Sequence, residues 1–409
     1  MTPSNKPRVL VALSGGVDSS VAAALLVREQ FDVAAIFYEL WSPEPKVGKA
    51  WENNCCTLEA YRDAQRVADQ LGIPLFKANI SEEFKARVVQ YFIDEYAAGR
   101  TPNPCVVCNT DIRFGLMFDR AVREYGADFM ATGHYAIRDT VTSWKTAPVM
   151  AQVAGDSGGT GSFGSGTAAR MHKLFVSADA HKDQSYFLYR LPQRVLGRLL
   201  FPVGGMTKPA VRALARSMGL PTASKHDSQE ICFVPKGGVS EFIKERVQPR
   251  AAQIMDTTGR RLGAHAGVPL VTVGQRRGLG ALGMPYYVVA KDAKTDTITV
   301  TADAGDQALF AKEIWLTEVS WIGEVPQDGA TMQARGRHGQ VPFTVTLRHS
   351  AGEWLVQPAE QTRVIAPGQT LVLIRDGEVL GGGIVRACET RATLTAVQPT
   401  QTHDLVTAS

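Results

Sequence analysis

A chain of 409 residues, 44% hydrophobic and 21% charged, is long enough for two or three domains with separate cores. It contains no run near the roughly 18 apolar residues of a membrane span. The net charge of +4 is too small to demonstrate a polyanionic partner. Six cysteines at this length exclude a disulfide scaffold and leave core thiols, metal ligands or reactive groups. The N-terminus enters a strand without an apolar signal segment, so a cytoplasmic location is expected; the expected state is a monomer.

The first element is Arg8-Val9-Leu10-Val11-Ala12-Leu13, a buried strand. It is followed by Ser14-Gly15-Gly16-Val17-Asp18-Ser19-Ser20 and a helix from Val21 to Arg28. Gly15 and Gly16 permit φ > 0 and close approach of backbone to an anion, Ser14, Ser19 and Ser20 offer hydroxyls, and the helix points its positive end at the loop. This is a phosphate cradle without the lysine of a G-x-x-x-x-G-K-[ST] motif. Glycines, serines and one aspartate suit a β,γ-pyrophosphate leaving group, so AMP-forming chemistry is expected. The loop resembles the PP-loop of the ATP pyrophosphatase superfamily.

Further strands at Val33 to Tyr38, Leu75 to Asn79 and Phe129 to Thr132 alternate with helices at Leu58 to Leu71 and Glu82 to Glu95. The alternation predicts an α/β domain, a doubly wound parallel sheet over residues 1–205, with ligands at the carboxyl ends of its strands. Within it, 155–166 has the composition of a flexible surface insertion. A helix from Ala210 to Met218 opens a small central domain, 206–285, in which Lys208, Arg212 and Arg216 recur at helical spacing as a solvated flank or a phosphate track. Arg276 and Arg277 between glycines are candidate phosphate contacts, and Tyr286 and Tyr287 read as core. Short alternating strands over 286–390 predict a C-terminal β-barrel: Thr297 to Thr301, Glu313 to Val319, Met332 to Arg337, Phe343 to Leu347, Glu353 to Gln357 and Leu371 to Ile374. Asp376-Gly377 is a hairpin turn there. A polar tail occupies 391–409.

Two prolines stiffen Gly99-Arg100-Thr101-Pro102-Asn103-Pro104 just ahead of Cys105-Val106-Val107-Cys108, and Cys232 stands in the polar setting Asp227-Ser228-Gln229-Glu230-Ile231. No second C-x-x-C completes an ordinary zinc set, so no metal site is assigned. Cys55, Cys56 and Cys388 read as packing residues. An AMP-forming loop with reactive cysteines makes sense if ATP activates a carbonyl oxygen that sulfur then replaces. A cysteine persulfide is a suitable donor, and a second thiolate can release its sulfur by attacking the persulfide bond.

The segments Ser14 to Ser20, Arg100 to Asn109, Ala131-Thr132-Gly133-His134-Tyr135, Lys182 to Leu188, Asp227 to Phe233, Val273 to Gly280 and Gly381 to Ile384 together resemble the bacterial tRNA-specific 2-thiouridylase family, in the family's order from about Arg8 to Cys388. The resemblance implies ATP-dependent, AMP-forming conversion of uridine 34 of tRNA to 2-thiouridine, with ATP, accompanied by Mg2+, as the nucleotide. Sulfur would come from a cysteine desulfurase or relay protein. It implies Cys108 as the sulfur-releasing nucleophile and Cys232 as the persulfide carrier, joined in a disulfide after turnover. It places ATP phosphates on Ala12, Leu13, Ser14, Gly15, Gly16, Val17, Asp18 and Ser19, with Tyr38 and Gly133 near the nucleotide. Asn103, Pro104 and Cys105 would face the target base. His134, Lys182, Asp183, Gln184, Arg337, His338 and Gln369 would touch tRNA, although His134 also reads as a satisfied strand-end histidine.

Many members carry an acidic residue where Cys105 stands. The thiol at that position opens a second reading, in which Cys105, Cys108 and Cys232 ligate an iron-sulfur cluster. Two rivals remain: another AMP-forming PP-loop ligase or amidotransferase, for which no glutaminase motif is present, and an RNA-binding protein without catalysis, which would predict damage to the loop or the cysteines.

Overall fold

The computed structural model describes residues 6–41, 57–138, 171–227, 231–235, 238–350, 352–390 and 392. The segment 155–166, Cys55, Cys56 and nearly all of the polar tail lie outside the described residues.

The first domain is built on a five-stranded parallel sheet in the spatial order Leu75–Asn79, Asp32–Glu39, Arg8–Ala12, Phe129–Ala131 and Leu199–Leu200. Its central strands are continuous apolar runs because both faces are covered. Alternation along them splits the core: Val9, Val11, Val33 and Ala35 pack on one face, Leu10, Ala34, Ile36 and Met130 on the other. The strand Arg8–Ala12 pairs with Asp32–Glu39 on one side and Phe129–Ala131 on the other, so the winding reverses there. The loops after Ala12 and after Ala131 therefore leave from neighbouring carboxyl ends, where a doubly wound sheet opens its ligand crevice.

The central unit is a four-stranded sheet ordered Tyr287–Asp292, Thr297–Thr301, Ala252–Asp256 and Arg261–His265. It corrects the expected bounds of this domain at both ends. Val211 and Ala215 pack on Val17, Val21 and Ala22, so the helix expected to open it belongs to the first domain, as does Cys232, which packs with that domain's core. Thr297–Thr301 pairs parallel with Ala252–Asp256 and does not join the barrel. Its inward Ile298 and Val300 complete a separate core with Ile254, Val268 and Val288, so this unit continues past residue 285. The half-buried Tyr287 ring lies under Arg276, 5.6 Å from its guanidinium carbon.

Six strands then close on themselves as an antiparallel barrel: Phe310–Trp321, Glu353–Pro358, Phe343–Ser350, Thr331–Arg335, Thr370–Arg375 and Glu378–Thr390, the last returning to the first. Asp376 (φ 50°) and Gly377 (φ 81°) make the expected tight turn. Closure removes the exposed sheet edges that six free strands would present. The first domain contributes Leu174–Phe175 to this sheet, Phe175 pairing with Glu378. The α/β fold with a small domain and a C-terminal barrel is thus the one expected.

Candidate active site

The loop after Arg8–Ala12 turns at Gly15, whose φ is +72°. A Cβ there would lie 2.2 Å from the Ala60 carbonyl oxygen, so only glycine fits. Gly16 departs from the expectation of a second positive φ. It caps the helix Val17–Arg28 with φ −97° and ψ 161°, and its carbonyl accepts from the hydroxyls of Ser19 (3.1 Å) and Ser20 (2.8 Å). Ser20, fully buried, is therefore directed into the helix turn. Ser14 is exposed, and its hydroxyl lies 3.2 Å from that of Ser19, so these two remain at the mouth of the cradle. Leu13 and Val17 are buried supports, Ala12 is half-buried, and the Leu13 amide donates to Ile36 at 2.9 Å.

Gly133, at the end of the neighbouring strand, is pressed against this loop: a Cβ would meet the Ser19 amide nitrogen at 2.5 Å and the Asp18 carbonyl carbon at 2.7 Å. The contact is backbone on both sides and cannot relax by side-chain movement. Gly133→Ala is expected to lower ATP consumption about a hundredfold by displacing the cradle, with tRNA affinity unchanged; ATP turnover and tRNA filter binding check this. Tyr38, buried, closes the wall by donating to the Met117 carbonyl at 3.4 Å, and burial holds its phenol well above the ordinary range.

The cation missing from the loop arrives from a distant helix. Lys208, on the first turn of Lys208–Ser217, places Nζ 2.8 Å from both carboxylate oxygens of Asp18 and 2.8 Å from Asp227. Tyr135 Oη donates to Asp18 at 2.8 Å. The helix is set by Thr207, which accepts from the Ala210 amide, and by a proline in its first turn. Asp227 also receives Arg212 (2.7 Å) and Lys182 (2.7 Å). Burial would raise its pKa, but hydrogen bonds from Lys182 and Lys208 outweigh that and hold it to about 2. Lys208 and Arg212 are thus ion-paired beside the loop and do not form a solvated flank. Both Asp18 oxygens are engaged by Lys208, and as placed they are not arranged as Mg2+ ligands.

Asn103 precedes a helix that starts at Pro104, so the proline occupies the one turn that needs no amide. The helix continues into a π-helical stretch, Cys108–Leu116, in which Asn109 Nδ2 donates to the Cys105 carbonyl at 3.0 Å. Cys105 is half-buried and Cys108 buried. Thr101, just upstream, is a three-way junction. Its amide donates to Pro367 at 2.8 Å, its carbonyl accepts from Gln369 Nε2 at 2.8 Å, and its hydroxyl lies 3.3 Å from that of Thr272. Gln369 is therefore turned onto the thiol segment.

Cys232 is half-buried and packs against the hydrophobic core that includes Cys108, Val106 and Val107. Its neighbour Phe233 anchors it there, with ring centroids 5.2 Å from Phe92, 5.6 Å from Phe242 and 5.8 Å from Phe84. Cys105, Cys108, Cys232 and Cys388 are not in disulfides. Among the described residues no three His, Cys, Asp or Glu groups assemble as a metal site, so the three thiols as placed do not fit an iron-sulfur cluster. Burial pushes the Cys388 thiol up to about 11, which keeps it protonated and unreactive.

Several residues expected at the RNA surface are turned inward. Asp183, 3% exposed, accepts from the Ser177 amide (2.9 Å), the Ser185 hydroxyl (3.0 Å) and Arg335 (2.6 Å), bridging the first domain to the barrel. Its carbonyl meets His338 Nε2 at 2.9 Å, and the His338 ring lies 4.8 Å from that of Phe187. Gln184 exchanges hydrogen bonds with Tyr135, accepting from its amide at 2.9 Å and donating its own to the Tyr135 carbonyl at 2.8 Å. Arg337 instead faces the central segment, its Nη2 3.5 Å from where a Cβ on Gly274 would stand.

His134 is buried, with Nδ1 2.8 Å from the Thr132 hydroxyl and Phe114 and Phe201 around its ring. Burial, with Arg113 nearby, lowers its pKa to about 3, so the reading as a satisfied strand-end histidine fits. Folding then excludes a proton that the unfolded chain accepts near pH 6.5. The stability from a neutral His134 is complete above that pH and is lost as pH falls toward 3. His134→Gln is expected to flatten this part of the stability profile, as read from melting temperatures between pH 7 and 4.

Residues 7–236 match a family model described as the tRNA methyl transferase HUP domain. Residues 240–302 match its PRC-barrel domain and 311–385 the aminomethyltransferase beta-barrel domain. The tRNA-specific 2-thiouridylase MnmA of Geobacter metallireducens is 41% identical over 397 residues, covering 95% of this chain and all of that protein. That of Carboxydothermus hydrogenoformans is 40% identical over 389 residues, covering 93% and 98%. That of Enterococcus faecalis is 36% identical over 394 residues, covering 94% and 96%. With a phosphate loop, a thiol helix and a second cysteine segment gathered in one α/β domain, and with matches that run through all three domains, the chain belongs to the tRNA-specific 2-thiouridylase MnmA family.

Proposed function

We propose that the protein is an ATP-dependent tRNA 2-thiouridylase acting on uridine 34. The observation that carries the reading is the packing of the Cys232 segment and the Cys108 helix against one core, while Lys208 ties Asp227 of the first to Asp18 of the phosphate loop. Adenylation chemistry and the two thiols then belong to one neighbourhood.

The uracil O2 attacks the α-phosphorus of ATP, the N3 proton leaves to solvent or a base, and pyrophosphate departs from the Ser14–Ser19 cradle. Mg2+ would travel on the ATP phosphates. A persulfide on Cys232, charged by a cysteine desulfurase or relay protein, attacks C2 through its terminal sulfur and AMP leaves. The Cys108 thiolate then attacks Cys232 Sγ, breaking the S–S bond to the transferred sulfur. The products are 2-thiouridine and a Cys108–Cys232 disulfide, which a cellular thiol must reduce before the next cycle. Asn103, Pro104 and Cys105 would face the base. The proposed setting is a cytoplasmic monomer working on tRNA; among the described residues no helix is long and apolar enough to cross a membrane.

The family-model description speaks of methyl transfer, so the decisive experiment is nucleoside mass spectrometry after incubation with tRNA, ATP and a sulfur donor. Exchange of oxygen for sulfur at uridine 34, with AMP formed in step, is expected. A methylated product, or ADP in place of AMP, would overturn the proposal.

A further inference from the structure

Beside the glycine loop, three cations from two separate segments converge on one carboxylate. Asp227 Oδ2 accepts from Lys182 at 2.7 Å, and Oδ1 from Lys208 at 2.8 Å and Arg212 at 2.7 Å. Lys208 is at the same time 2.8 Å from both Asp18 oxygens, so the cluster is continuous with the loop. Three positive groups face two negative ones, leaving one net positive charge, and two if Asp227 withdraws. Side-chain exposure is 9% at Lys208, 25% at Arg212 and 30% at both Lys182 and Asp18, so the cluster is open to solvent around a buried Lys208. Two carboxylate oxygens spread over three donors reproduce what a phosphate group would meet there.

We propose that Lys182, Lys208 and Arg212 form a polyphosphate site, occupied by the Asp227 carboxylate as an internal surrogate until the phosphates of ATP, or released pyrophosphate, displace it. The inference deepens the preceding reading and rests on it for the presence of ATP at Ser14–Ser19. RNA phosphodiesters carry the same oxyanions, but the shared contact of Lys208 with Asp18 places the site at the nucleotide loop. Asp227 lies five positions before Cys232. Phosphate occupancy and the anchoring of Asp227 are then linked reciprocally, each weakening the other.

The test is calorimetric titration of the full chain with inorganic pyrophosphate, without tRNA. Asp227→Asn removes the competing charge and keeps the side-chain shape, and it is expected to bind pyrophosphate about tenfold more tightly. Arg212→Gln, at a half-buried position, is expected to bind it about tenfold more weakly. A natively folded Asp227→Asn with unchanged or weaker pyrophosphate affinity would overturn the proposal, because a merely structural carboxylate gives that result. Tightening toward tRNA alone would assign the cations to RNA and also overturn it. If Asp227→Asn does not fold, unchanged pyrophosphate binding by Arg212→Gln overturns it instead. Absence of AMP in the wild-type thiolation assay would sink the functional reading alone, since the pyrophosphate titration does not depend on it.

Discussion

Replacing Cys232 by serine is expected to lower 2-thiouridine formation about a thousandfold or more while AMP formation stays within about threefold of wild type. A hydroxyl cannot carry sulfane sulfur, whereas the phosphate loop and Lys208, to which the proposed cycle assigns adenylation, are untouched. Cys108→Ser should have the same signature, since the persulfide could form but not be cleaved from inside the protein. Parallel measurement of AMP and of the thiolated nucleoside separates the two halves of the cycle. Loss of both activities together would point to a folding role for the thiols, and retained thiolation would remove them from the chemistry. Cys105→Asp separates the persulfide relay from the cluster reading: thiolation is expected to persist with a carboxylate there, whereas a cluster that needs three thiolates would be lost.

Lys208→Met carries the second large effect. Its ammonium is the shared partner of Asp18 and Asp227 and is 9% exposed, so truncating the charge leaves two carboxylates facing each other in a partly desolvated site. The expected cost is on the order of 3 kcal/mol, below the upper range for a buried pair because both carboxylates retain some solvent. That corresponds to a fall of about 6 °C in the melting transition of the first domain, with AMP formation lost. The double variant Lys208→Met/Asp227→Asn should recover part of the stability and none of the activity, as the repulsion is relieved but the cation is still missing. Single and double variants that lose stability additively would show that the three groups do not act as a unit.

The phosphate loop was legible because strand, turn and helix start lie within about twenty consecutive residues and each has its own local signature. The parallel sheet and the barrel strands were legible for the same reason, through runs and alternation. Partnership was not: Ile298 and Val300 alternate as barrel residues would, and only the register with Ala252–Asp256 assigns them to the central sheet. Lys208 shows the same limit. Thr207 and Pro209 announce a helix start, but nothing local ties that lysine to Asp18, 190 positions earlier. The resemblance assigns Lys182-Asp183-Gln184 to tRNA, yet Asp227, Arg335 and Tyr135 engage them from within the protein. Local chemistry identifies donors and acceptors; tertiary contact decides which are already spoken for.

The clamp on Thr101 fixes the phase of the thiol helix. Backbone and side-chain bonds from Pro367, Gln369 and Thr272 hold the chain at that point, and Cys108 follows seven residues later. One residue inserted between them would rotate the sulfur by about 100° around the helix axis. Lineages of this protein should therefore tolerate exchanges within that interval, such as carboxylate for thiol at position 105, while rejecting any change in its length.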